Sequence, residues 1–183
     1  MKRIQSLATF YLGLFAFTII VQSCCSDPNM VSIIGGEDIF FLEQQDLPFS
    51  GAESATTLTG LPFSMRVNME LEFVSTYTAQ GFMSSAYAFS CEEEYQNSLD
   101  GESFSLTCDT NFIFDGEIIT AGTPFSELNG LIVSVGFEEV SVFVGQEFLD
   151  LAEFTNGAHN FTMFIRTTDN LDIESKGSVE IDF

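Results

Sequence analysis

The sequence predicts an all-β chain: an antiparallel β-sandwich of immunoglobulin-like type, with one short helix and an N-terminal signal helix. Three observations carry that expectation. In "MRVNMELEF", Met65, Val67, Met69, Leu71 and Phe73 alternate without error against Arg66, Asn68, Glu70 and Glu72. A period of two places one face in a core and the other in water, whereas a helix would scatter the same residues around its axis. Further apolar runs, roughly seven to nine strands in all, are separated by Gly, Pro, Asp, Asn and Ser at the short spacing of sandwich turns. The 45% hydrophobic content with 21 Phe also rules against a disordered chain despite its charge. A β-barrel is the alternative closure for the same strands.

Taken in order, the chain opens with Lys2 and Arg3 and then the uncharged run "FYLGLFAFTIIV", Phe10 to Val21. That is the layout of a secretory signal, shorter in its apolar core than the ~20 residues a membrane span needs. An uncleaved signal anchor is the other reading. Residues 24–30 form a polar tether, and 31–183 a single β-sandwich domain. Within it, "MVSII" and "EDIFFL" flank Gly35-Gly36, and the stretch from Leu47 to Pro62 is rich in turn residues. "GFMSSAYAFSC" (81–91), "SFSLTC" (103–108) and "NFIFDGEII" (111–119) are β candidates. "LIVSVGF" and "VSVFV" are split by Glu138-Glu139, as in a hairpin or a bent strand. "QEFLDLAEF" (146–154) has near-helical spacing with Gly157 to stop it. "HNFTMFIRT" alternates again, and "SVEIDF" closes the chain on a strand.

Val21, Gln22, Ser23 and Cys24 resemble the lipobox of bacterial lipoproteins, with Gln22 a departure from the commoner small residue. The resemblance implies cleavage after residue 23 and a diacylglyceryl group on the Cys24 thiol. Two or more acyl chains anchor stably where one does so only marginally. The polar and acidic residues after Cys24 are similar to those of Bacteroidetes-type lipoproteins. The expected location is therefore outside the cytoplasm, at the outer membrane, on its periplasmic or cell-surface side.

Charge narrows the partners. The chain holds 27 Asp and Glu against five Lys and Arg, a formal net charge of −22. Removal of the signal would leave Arg66, Arg166 and Lys176 as the only cationic side chains. Such a surface repels nucleic acid phosphates and anionic headgroups, so nucleic acid is not an expected partner and lipid on Cys24 would be the whole membrane anchor. Solubility accounts for the acidity without any ligand.

Of the remaining cysteines, Cys91 and Cys108 are the expected disulfide in an exported chain. Closing that loop is worth about 3 kcal/mol in the chain-entropy account. Two buried free thiols are the other reading, and Cys25 is left beside the anchor. No Cys-x-x-Cys spacing exists and His159 is the only histidine, so no metal or cofactor is expected. His159 follows "TNGA" at a strand start, the ordinary place of a turn-edge histidine, and no G-x-S-x-G elbow accompanies it. Asp169, Asn170, Asp172 and Glu174 could offer oxygens to calcium, but they miss the EF-hand spacing and read as a solvated turn. Phenylalanines at strand-core positions and the absence of Trp favour packing over sugar stacking.

"AYAFSC", "SLTCDTNFIFDGEIITAGTPFSEL" and "GAHNFTMFIRTTDN" resemble a family of Bacteroidetes lipoproteins of unknown function, over most of residues 85–183. That resemblance implies an exported, lipid-anchored domain and supplies no active residues. The expectation is a non-enzymatic binding or structural module of the cell envelope. A surface receptor or adhesin for glycan or protein, and a carboxylate-dependent hydrolase, are the alternatives.

Overall fold

The computed structural model describes residues 29–43, 54–74 and 93–183. Its strands are β1 (Asn29–Gly36), β2 (Phe40–Glu43), β3 (Thr57–Leu58), β4 (Phe63–Phe73), β5 (Glu93–Tyr95), β6 (Leu99–Cys108), β7 (Phe112–Phe114) and β8 (Glu117–Ile119). There follow β9 (Leu131–Val135), β10 (Glu139–Val144), the helix α1 (Gln146–Leu151), β11 (Ala152–Glu153), β12 (Gly157–Thr167) and β13 (Asp172–Ile181). The N-terminal signal, Cys24, Cys25, Cys91 and the run 81–91 lie outside the described residues.

The chain divides into two compact units. The smaller comprises Met1–Ser32 and Phe73–Gln96. Its described part pairs the start of β1 in parallel with β5, Asn29 opposite Glu93 through Val31 opposite Tyr95. Val31 is fully buried there.

The larger unit, Ile33–Glu72 with Asn97–Phe183, is an all-β sandwich. One sheet runs β1–β4–β10–β9, with β2 also paired to β4; the other runs β3–β13–β12–β6. A third, small sheet is β11–β7–β8. The ladders of this unit are antiparallel except β3 with β13, a parallel pairing of two residues. The alternation in β4 works as its period demands at Phe63, Met65, Val67 and Met69, all buried. At the far end of the strand Leu71 is half-buried and Phe73 is exposed. From β10, Val140, Val142 and Val144 point the same way.

From the opposite sheet come Leu106 and Cys108 of β6, His159, Phe161, Met163 and Ile165 of β12, and Ile173, Val179 and Ile181 of β13. Phe41 meets Phe161 across the interior at 5.9 Å between ring centroids. The sheets also touch through backbone: Ile39 donates its N–H to the Lys176 carbonyl at 2.9 Å. A Cβ on Gly177 would lie 2.6 Å from the Ile39 carbonyl oxygen, so this crossing requires glycine. Beside it, Val67, Val140, Met163 and Ile173 line a small void, together with the buried Ser175. The Ser175 hydroxyl has no hydrogen-bond partner among the described residues.

One local reading holds in two pieces and another is corrected. The run 111–119 is two strands, β7 and β8, because Asp115 and Gly116 both take positive φ (49° and 80°) and form the tight turn that an Asp-Gly pair favours. The helix ends at Leu151, three residues earlier than its spacing suggests, and Ala152–Glu153 pair with β7 as β11. Sheet pairing overrides weak helical periodicity there. Around the helix, Phe112, Phe114, Phe125, Phe148 and Phe154 form one aromatic cluster, with Phe112 stacked on Phe154 at 4.7 Å and Phe114 tilted against Phe148 at 5.1 Å.

Candidate functional site

Strand β12 sets its alternate residues inward, and the first titratable one is His159. The residue expected at a turn edge is instead 1% exposed. Its position two residues before Phe161, in phase with Met163 and Ile165, is the sequence signal that places it in the core. Opposite it, β6 ends on Cys108, and Thr110 follows in the turn to β7. The three side chains meet. Thr110 Oγ1 is hydrogen-bonded to His159 Nδ1, and Cys108 Sγ lies 3.3 Å from Thr110 Oγ1 and 3.7 Å from Nδ1.

On its other side, His159 Nε2 is 2.7 Å from the Thr155 carbonyl. A carbonyl only accepts, so Nε2 carries the proton, and in the neutral ring Nδ1 accepts from the Thr110 hydroxyl. Phe154 stands edge-on to the imidazole at 5.5 Å and 88°. A thiol beside an imidazole is the arrangement that activates cysteine nucleophiles. Here both ring nitrogens are engaged by their own chain, and Cys108, bonded to no other cysteine among the described residues, is 3% exposed. What the geometry does is bind β6, the loop before β12 and β12 to one another.

Cys91 and Cys24 lie outside the described residues, so of the residues read as disulfide or lipid sites only Cys108 has a described position. Asp169 and Asn170 stand in the β12–β13 turn and Asp172 and Glu174 in β13, and the four do not converge. The Asp169 carboxylate accepts from the Thr167 hydroxyl and from Asn97, bonds that hold it below the usual carboxylate range. Asn170 takes a positive φ of 68° at the turn. Asp172 meets Arg166 at 2.6 Å and Glu174 meets Lys176 at 2.6 Å, and each carboxylate raises the pKa of its cation. Asp109 is lowered too, by the Asn160 side-chain amide and then the Asn160 backbone N–H, the latter at 2.9 Å. With Arg66 beside Glu139 at 3.5 Å, all three cations of the domain stand against acids of their own chain.

A polar residue that sequence reasoning missed is Asn97. Buried at 4% exposure, it accepts from the Ile33 N–H through Oδ1 at 2.8 Å and donates through Nδ2 to the Ile33 carbonyl at 3.0 Å. Its amide thus replaces a neighbouring strand for one residue of β1. Nothing in "EYQNSLDG" signals this, since asparagine before serine reads as a turn.

No family model matches the sequence, and no curated protein matches it. Among solved structures, the chain is similar to the C-terminal domain of the Streptococcus pyogenes antigen I/II-family protein AspA, with 12% identity and a TM-score of 0.26 over 80% of this chain and 46% of that one. It is likewise similar to the C-terminal domain of the Streptococcus agalactiae AgI/II polypeptide BspA, with 8% identity and a TM-score of 0.26 over 80% and 49%. The chain thus spans about half the length of these structures. The architecture described above rests on the chain's own strands and registers.

Proposed function

We propose that the protein is a binding or structural module of the cell envelope, held at the outer membrane by lipid on Cys24. The observation that carries this reading is the run Val21-Gln22-Ser23-Cys24 directly after an apolar segment of signal length. The first described strand begins at Asn29, so the five residues 24–28 would separate lipid from that strand by at most about 18 Å. The acidic surface supports lipid as the sole attachment, because it is repelled by anionic headgroups.

A binding role is favoured over chemistry by the state of the Cys108, Thr110 and His159 cluster, whose thiol and imidazole are buried and whose members are bonded to one another and to the Thr155 carbonyl. Growth with labelled palmitate should mark the protein, and Cys24→Ala should remove the label and release the chain from membranes. Labelling that survives Cys24→Ala would overturn the anchor.

A further inference from the structure

We propose that the open edge of β9 takes an extended, lysine- or arginine-flanked β-strand from a partner protein. This deepens the binding-module reading above and rests on it. The ladder between β9 and β10 fixes which backbone groups face outward. Gly136 donates to the Glu139 carbonyl at one end and Gly145 to the Gly130 carbonyl at the other, so these opposed pairs are hydrogen-bonded ones. In an antiparallel ladder such pairs alternate with non-bonded ones.

Counting inward from both ends, Ser134 opposite Ser141 and Ile132 opposite Phe143 are bonded, whereas Val133 opposite Val142 and Val135 opposite Val140 are not. The N–H and C=O groups of Val133 and Val135 therefore point away from β10. β9 ends its sheet, and among the described residues nothing pairs with those four groups.

Exposed edges are ordinarily blunted by charge, proline or a bulge. From Leu128 to Phe137 the chain has no charged residue and no proline, and the β9–β10 register has no shift. Ile132 is 64% exposed on the outer face and Phe137, at the turn, 54%. Val133 and Val135 remain only half-buried on the inner face. An added strand with alternating apolar residues would cover them, its main chain giving affinity and its side chains selectivity.

Charge identifies the occupant. The three cations of the domain already face its own acids, so the net charge of −22 attracts a cationic segment and disfavours a second copy of this chain.

The test uses the full chain in detergent and a short peptide of alternating valine and threonine with lysines at both ends, beside the same peptide ended by glutamates. The lysine peptide should slow exchange at the Val133 and Val135 amides, and it should bind at least about tenfold more tightly than the glutamate peptide, less so as salt rises. Val133→Pro deletes an outward N–H without breaking the β10 ladder and should abolish binding. Ile132→Lys, on an exposed position that leaves folding intact, should weaken it at least about tenfold. Unchanged exchange at Val133 and Val135 with saturating peptide would overturn the proposal. So would equal affinity for the glutamate peptide, or a free chain that sediments as a dimer with those amides already slow. The assay contains no membrane step, so failure of Cys24 acylation leaves its outcome unaffected.

Discussion

Replacing Gly130 with alanine is expected to cost the fold at least about 3 kcal/mol and lower its melting temperature by about 10 °C. Two effects add. Gly130 sits at φ +84°, where a Cβ costs about 1 kcal/mol in an ordinary residue. More damaging, that Cβ would lie 2.4 Å from the Phe148 backbone nitrogen and 2.9 Å from its Cα. No side-chain rotation relieves a clash with backbone, so the start of α1 must move. Phe148 moves with it and loses its contacts to Phe112, Phe114 and Phe125. Gly122 provides the comparison: its φ is +77°, but nothing lies within 4 Å of its Cβ position. Gly122→Ala should cost only the conformational share, about 1 kcal/mol. Thermal unfolding of both variants separates the two causes, and equal losses would mean that Phe148 does not pack as described.

Asn97→Ala should destabilise the larger unit by about 2–4 kcal/mol, because it strips both partners from the Ile33 backbone, which is 1% exposed. Asn97→Asp is the sharper variant. It keeps an acceptor for the Ile33 N–H but presents a second oxygen to the Ile33 carbonyl, beside the Asp169 carboxylate. It should be as harmful as alanine or worse, despite its near-identical shape. Denaturant unfolding checks both, and an Asn97→Asp chain of wild-type stability would exclude the two-bond arrangement.

How far the sequence revealed this molecule depends on whether a residue's role is set by its neighbours along the chain. The inward face of β4 was legible because Met65, Val67 and Met69 alternate within one strand, and the β9–β10 connection was legible as far as a hairpin or a bent strand. The split at Asp115-Gly116 was available from the dipeptide itself but was masked by the continuous apolar run around it. The early end of α1 was not legible, since it depends on pairing with β7, whose contribution is distant in sequence. The same reason explains the site. His159 could be placed in the core from its phase with Phe161, but its partners Cys108 and Thr110 come from another strand, about fifty residues earlier. Asn97 and the bare edge of β9 depend still more on tertiary placement: one on Ile33, the other on what stands beside β10 and what does not.

Amide exchange in the free protein tests the described sandwich, and the open edge of β9 in it, most directly. Ile132 and Ser134 should exchange slowly, as donors to β10, while Val133 and Val135 between and beside them exchange fast. Equal slowing at all four amides would show that the edge of β9 is already occupied, and equal speed would show that β9 does not pair with β10.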